Sequence, residues 1–334
     1  MTTARALVCT RDQQFTLEEF SVPALGRSEM LVETRYSGIS VGTEFAVIRG
    51  KLDWGPFPVC TGYQAVGVVT QLGPDVQDYQ VGDKVYYRRN YLPMQRGADR
   101  INTAAGTHCS VAVIDPSNAE GVAHLPPGAD ELASSMFVMP AVGFNAVNMA
   151  GVKLGDIVVV QGAGLIGLGA LLAAGLRGAV TIGVDVNPTR LELARTLGVD
   201  HVIDGGADDV REQVRALAPA GADVVFEGTG IPAQLDAALQ LCRHRGTFVF
   251  LGNYGNAPIS YHFLVPHSKE LTAFYPCNDG LAPCRRAVIK LMATGALPWQ
   301  HTISHVVKAH ESPAFFDAIN HNQLPNLLGA VIRW

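Results

Sequence analysis

Nowhere in this 334-residue chain are two cysteines spaced as CxxC; Cys9, Cys60, Cys109, Cys242, Cys277 and Cys284 lie scattered along it. That spacing excludes both a structural zinc knot and a disulfide framework, and most of the six are expected to be buried thiols. No histidine occurs before His108. Charge is scarce too: 16% of residues are charged and the net charge is −5, which gives no basic footprint for nucleic acid or anionic lipid. The opening "MTTARALVCTRDQQF" lacks the uninterrupted apolar core of a signal peptide, and the most apolar stretch, 157–175, is seeded with glycine. A cytoplasmic protein acting on a small molecule, with no nucleic-acid or membrane partner, is expected. Repeats, low-complexity tracts and long linkers are absent as well. What remains is length and apolarity. The chain is 48% hydrophobic, and 334 residues are too many for one ordinary core, so two domains are expected.

The first third reads as strands. "RALVCT", "EMLVETRYSGIS", "AVGVVTQLG", "KVYYRR" and "HCSVAVID" are short β-branched or alternating runs, and their close spacing predicts a curled sheet or partial barrel. Near residue 150 the pattern changes. "DIVVVQGAGLIGLGALLAAGLRGAVTIGVDV" reads strand, glycine turn, helix, strand. "TRLELARTLGV", "VREQVRALA" and "PAQLDAALQLCR" then read as helices between the strands "HVID", "ADVVFEGTG" and "GTFVFLG". Such alternation predicts a parallel, doubly wound sheet, and the fold class expected is α/β. "LAPCRRAVIKLMATGAL" and "PAFFDAI" read as late helices, and "LLGAVIRW" as a last strand.

Gly162, Gly164 and Gly167 spell GxGxxG. Gly162 permits the tight turn, Gly164 lets the backbone approach a pyrophosphate, and Gly167 lets the helix press on the strand. The helix opens with Leu165 and Ile166, whose free N–H groups and dipole favour phosphate. The second strand ends in Asp185, placed to meet the adenosine ribose hydroxyls. A carboxylate about 4 Å from a 2′-phosphate costs a few kcal/mol even at an effective dielectric of ~20, so NAD is expected over NADP. Arg190 is the opposing vote, with the adenine ring or solvent as its other places.

On these residues the chain resembles the medium-chain dehydrogenase/reductase superfamily, nearest its alcohol and sorbitol dehydrogenase branch. The likeness runs from "SGISVGTE" through "GYQAVGVV" and "VGDKV" to the Rossmann segment and the final strand. It implies a β-rich GroES-like catalytic domain, residues 1–148 and 287–334, split around a Rossmann NAD-binding domain, residues 149–286. The closing strand "GAVIRW" would pair with the N-terminal domain. Gly228 and Thr229 would lie by the adenosine, while Leu251, Gly252, Ala273 and Tyr275 match segments whose backbone holds the nicotinamide carboxamide. A homodimer or homotetramer is also implied.

The likeness fails at the family's catalytic zinc. At its ligand positions stand Ser40 or Val41, then Tyr63 and Gln64, then Met139 and Pro140. Zinc takes thiolate, imidazole or carboxylate, so no metal is expected; a displaced site of Cys60, Glu44 and His108 is the alternative. The zinc of relatives stabilises alkoxide character on the substrate oxygen. Without it, Tyr63 is the candidate donor and acceptor for that oxygen. Thr43 matches the family's relay hydroxyl; Glu44, Ser40 and Gln64 could assist. The competing reading is that Tyr63 and Gln64 merely fill the vacated space. Lys51 and Trp54 are candidates for a pocket rim, and Arg88, Arg89 and Tyr91 for gripping a carboxylate, phosphate or sugar. His108 reads as a structural histidine.

The expected activity is zinc-independent, NAD-dependent interconversion of a secondary alcohol and its ketone, on a polyol, sugar derivative or other hydroxylated metabolite. "SGISVGTE" with "TGYQAVGVV" is similar to the zinc-lacking group that includes the bacteriochlorophyllide hydroxyethyl dehydrogenases, and no pigment substrate is carried over from it. Two alternatives stand beside this: a zinc-free quinone or enone reductase, and a non-catalytic NAD-binding sensor.

Overall fold

The computed structural model describes residues 2–117, 121–207 and 209–334. The chain divides into two compact units, Met1–Phe137 with Ile289–Trp334, and Val138–Val288.

In the second unit the run Ile157–Gln161 is apolar on both faces because it lies inside a six-stranded sheet. Its neighbours are all parallel, in the order His201–Asp204, Val180–Asp185, Ile157–Gln161, Ala222–Glu227, Cys242–Phe250, Thr272–Phe274. The chain winds outward from Ile157–Gln161 to one edge, then returns and winds to the other. The direction therefore reverses between Ile157–Gln161 and Ala222–Glu227, where such sheets open a crevice beyond the carboxyl ends of their strands. Val159, Ile182, Val225, Leu239 and Phe248 are buried in one apolar cluster, each worth about 1.5–3 kcal/mol of transfer from water. Helix starts follow the side chains: Asn187 caps Pro188–Thr196 and Asp209 caps Val210–Leu217. The helices Val138–Ala150 and Leu165–Gly175 touch through their backbones. A Cβ on Gly143 would come within 2.4 Å of Ala170 N.

Among the described residues the first unit holds a four-stranded, a seven-stranded and a small two-stranded sheet. Met30–Ile39 is the hub of the largest one, paired with Ala65–Leu72, Val111–Ile114 and Gly329–Arg333. Two register shifts along its pairing with Ala65–Leu72 add twist. The closing strand Gly329–Arg333 does return to the N-terminal sheet, with Ala330 opposite Ile39 and Arg333 opposite Tyr36.

Two of the elements that differ from expectation have a plain physical reason. "VGTEFAVI", where no element is expected, forms the helix Val41–Ile48. Its valines, glycine and threonine are poor helix formers, but burial of Phe45, Val47 and Ile48 outweighs propensity. The helix expected over "PAQLDAALQLCR" is shorter. A 3-10 turn, Pro232–Gln234, leads into the helix Leu235–Leu241, and Cys242 and Arg243 belong to the next strand. No helix among the described residues is long and apolar enough to cross a membrane.

Candidate active site

The dinucleotide end of the second unit is assembled by its strand ends. Gly162 has φ +93°, a conformation that favours glycine, and a Cβ there would meet the Gly228 carbonyl carbon at 3.1 Å. A Cβ on Gly167 would sit 1.9 Å from Gly162 O, so helix and turn are in backbone contact. A Cβ on Gly164 would meet nothing within 4 Å, which leaves open the side from which a phosphate approaches. Gly164 caps the helix, and Leu165 and Ile166 form its first turn.

Asp185 is buried and does structural work. Its Oδ2 accepts from Ala163 N at 2.7 Å, its Oδ1 accepts from Asn187 N at 2.9 Å, and Arg190 Nη1 stands 3.7 Å away. The carboxylate thus ties the glycine turn to the second strand while facing the place expected for the ribose. Arg190 offsets part of its charge.

Glu227 was not foreseen. It ends Ala222–Glu227, is fully buried, and accepts from Thr229 N at 2.9 Å, from Gly230 N at 3.3 Å, and from the hydroxyls of Thr229 and Tyr254. Its backbone oxygen accepts from Leu251 N and Gly252 N. One carboxylate and one carbonyl therefore bring Gly228, Thr229, Leu251 and Gly252 together. Burial and the Glu227 carboxylate both push the Tyr254 phenol far up, so its proton stays in that bond. An acid directly before Gly-Thr-Gly at a strand end was the available signal. Ala273 lies on the edge strand Thr272–Phe274, and the exposed Tyr275 stacks on Phe250 with ring centroids 4.7 Å apart.

In the first unit the polar candidates gather around Tyr63. Its ring lies under Arg88 at 5.4 Å and edge-on to Trp54 at 5.9 Å, and Arg88 Nε donates to Tyr63 O. Burial pushes the phenol up to about 12, against the pull of side-chain hydrogen bonds with Ser40 and Thr43. Beneath it Glu44 is fully buried on the helix Val41–Ile48. Glu44 Oε1 accepts from Ser40 N at 2.8 Å; its Oε2 accepts from Thr61 Oγ1 at 2.7 Å and meets His108 Nε2 at 2.8 Å. His108 Nδ1 lies 2.9 Å from Ser37 Oγ, and Trp334 Nε1 donates to that same oxygen. A carboxylate only accepts, so Nε2–H donates to Glu44, while Nδ1 and the Ser37 hydroxyl share the other bond. Both ring nitrogens of His108 are thus partnered.

The remaining candidates stand apart. Gln64 is buried with its amide nitrogen 3.8 Å from Met136 Sδ. Arg89 and Tyr91 are exposed and make no hydrogen bond, ion pair or ring contact with Tyr63. Lys51 is exposed just past the end of the helix, its N–H bonded to Ala46 O.

The residues do not fit a zinc ion. Ser40, Val41, Tyr63, Gln64, Met139 and Pro140 offer no ligand of the required kind. In the alternative set, both His108 nitrogens are engaged, and Cys60 faces only carbonyl oxygens with its thiol pushed well up by burial. Among the described residues no group of three or more His, Cys, Asp or Glu could hold a metal ion.

Residues 26–128 match the alcohol dehydrogenase GroES-like domain, and residues 166–293 match the zinc-binding dehydrogenase family. A sorbitol dehydrogenase of Halalkalibacterium halodurans is 27% identical over 94% of this chain and 97% of its own. A D-xylulose reductase of Saccharomyces cerevisiae is 26% identical over 98% of this chain and 97% of its own. A Sinorhizobium meliloti dehydrogenase solved bound to NADP has the same fold, with TM-score 0.85, 22% identity and full coverage of both chains. Two domain matches in this order, laid over a GroES-like unit and a Rossmann unit, make the chain a member of the medium-chain dehydrogenase/reductase superfamily, among its NAD(P)-binding polyol and alcohol dehydrogenase-like oxidoreductases.

Proposed function

We propose that this chain is a zinc-independent, NAD-dependent enzyme of the cytoplasm. It interconverts a secondary alcohol and its ketone, on a polyol, a sugar derivative or another hydroxylated metabolite. The observation that carries this reading is Tyr63: a buried phenol, bonded to Ser40 and Thr43, standing where relatives place a metal ligand. Gly162, Gly164, Gly167, Asp185, Gly228 and Thr229 would hold the coenzyme, and Leu251, Gly252, Ala273 and Tyr275 its nicotinamide end. When bound, the nicotinamide supplies or accepts the hydride. The side chains handle the proton. With its pKa raised to about 12, Tyr63 keeps its proton at neutral pH and donates it to a ketone oxygen as negative charge develops there. Ser40 and Thr43 hydroxyls then bond the phenolate. Arg88 over the ring favours the same charge.

NAD is favoured over NADP because the buried Asp185 carboxylate would face a 2′-phosphate, and Arg190 at 3.7 Å offsets only part of the repulsion. The large exposed apolar residues Phe263 and Leu264, at the start of the helix Leu264–Ser268, support a homodimer or homotetramer.

The test is a panel of ketoses, simple ketones, quinones and enones with NADH and NADPH, run beside Tyr63→Phe and a metal analysis. Ketone reduction should prefer NADH, need no stoichiometric metal, and fall about 100-fold or more in kcat in the variant with NADH affinity unchanged. Turnover on quinones or enones alone, or coenzyme binding with no turnover, would replace this reading with a double-bond reductase or a sensor.

A further inference from the structure

The second unit carries a cavity of about 320 Å³ at the amino ends of its parallel strands, where Gly221 leads into Ala222–Glu227 and Cys242 opens Cys242–Phe250. The dinucleotide residues stand at the carboxyl ends of those same strands, so this cavity is a separate place. Its lining contains Arg211, Arg215, His244 and Lys269 and no carboxylate. Arg211 and Arg215 are four apart on the helix Val210–Leu217, on one face, and like charges so placed repel. Among the described residues neither guanidinium has a hydrogen-bond or ion-pair partner. Lys269 forms the floor: its ammonium donates to the carbonyls of Leu239, Gln240 and Cys242 at 3.4, 2.8 and 2.6 Å. Its three protons are spent there, but its charge still faces the cavity. One acid beside the lining, Glu270, stands 3.8 Å from His244 Nε2 and is already bound to Arg245 at 2.7 Å. Burial lowers the Lys269 pKa; Cys242 pulls it back up, and Arg211 and Arg215 lower it further.

We propose that this cavity is a second ligand site that takes a phosphate group, carried by a small phosphorylated metabolite. The two arginines form a planar, bidentate clamp suited to phosphate oxygens. The Ser268 hydroxyl, which donates to Val265 O, keeps its oxygen lone pairs for a protonated phosphate oxygen or a bridging water. The volume exceeds that of a bare phosphate and sits at the lower end of small-ligand pockets. The site needs no assumption about the reaction at the other end of the sheet.

Thermal unfolding of the purified chain tests it, in inorganic phosphate, sulfate and glucose 6-phosphate, each against chloride at matched ionic strength. The wild type should melt higher in each dianion than in chloride, and highest in glucose 6-phosphate. Equal shifts in phosphate and in the ester would make free phosphate the source of the group and would remove the metabolite from the proposal. The double variant Arg211→Gln, Arg215→Gln should bind at least about tenfold more weakly and lose the shift. In chloride it should melt no lower than wild type, because the repulsion between the arginines is gone; that is its folding control. A shift that survives in the double variant, or a wild type indifferent to dianions, overturns the proposal.

Discussion

At the scale of single residues, the proposed centre rests on two buried groups, Tyr63 and Glu44. Tyr63 is held protonated, and this makes the two directions of the proposed reaction respond differently to pH. Ketone reduction uses the phenol, so its kcat should be flat across neutral pH. Alcohol oxidation uses the phenolate, so its kcat should rise by up to about tenfold per pH unit toward 12, until another step limits it. Pre-steady-state hydride transfer measured across pH checks this, and parallel profiles in both directions would remove Tyr63 from the proton path. Glu44 is the hub of the buried network that joins Ser40, Thr61, His108, Ser37 and Trp334. Glu44→Ala strands the Ser40 N–H, the Thr61 hydroxyl and the His108 N–H in a dry interior. Urea unfolding should show a loss of about 3 kcal/mol; a loss near zero would mean that water or another acceptor replaces the carboxylate. Little of this was legible beforehand. Tyr63, Thr43 and Ser40 were found because they occupy motif positions. The His108–Glu44 bond joins residues 64 apart and Trp334–Ser37 residues 297 apart, and no local pattern announces such pairs.

Among elements, the glycine turn was the most legible part, because three constraints coincide there: a positive φ, a backbone contact and an open face for phosphate. Gly167→Ala tests the contact alone. Its methyl would lie 1.9 Å from Gly162 O, so helix or turn has to shift. Coenzyme affinity should fall at least tenfold, about 1.4 kcal/mol, with the rest of the unit still folded; fluorescence titration with NADH measures it. Gly164→Ala should disturb the apo fold less, since a methyl there enters empty space. The helix Val41–Ile48 was hidden for the opposite reason. Its residues favour strand or turn, and only tertiary burial of Phe45, Val47 and Ile48 makes it helical. A helix is expected through Cys242 and Arg243 because "CRHRGT" carries no alternation. In the fold the strand there runs through Arg245 at φ +55° and a shifted register against Ala222–Glu227.

For the whole molecule, the two-part architecture followed from length and from the switch between closely spaced strands and strand–helix alternation. The parallel order of the six strands followed from that alternation. Both units carry buried thiols, and these set the behaviour at high pH. Burial lifts Cys9, Cys109 and Cys242 from 9.0 to about 12, lifts Cys60 well above 9.0, and lifts Tyr63 from 10.0 to about 12. The folded state then holds protons that the unfolded state has released. Stability is therefore complete below about pH 9 and falls as pH rises toward 12. Each thiol contributes up to roughly 1.4 kcal/mol per pH unit in that window, so a few of them together rival the whole stability of a domain. The midpoint of thermal unfolding in reductant should be markedly lower at about pH 10.5 than at about pH 8. Equal midpoints would mean that the thiols are ionised, or solvated, in the folded state.

The strand Gly329–Arg333 sits inside the first unit's sheet, between Met30–Ile39 and Ile303–Lys308. On the ribosome, the first unit is thus the one that must wait: Val111–Ile114 covers Met30–Glu33 of its hub strand early, but the edge Tyr36–Ile39 stays open until about three hundred more residues have been made. The intervening unit, contiguous from Val138 to Val288, is complete long before. Nascent-chain proteolysis should find the Rossmann unit protected first and the N-terminal sheet last. The order of synthesis and the order of folding are then reversed in one polypeptide.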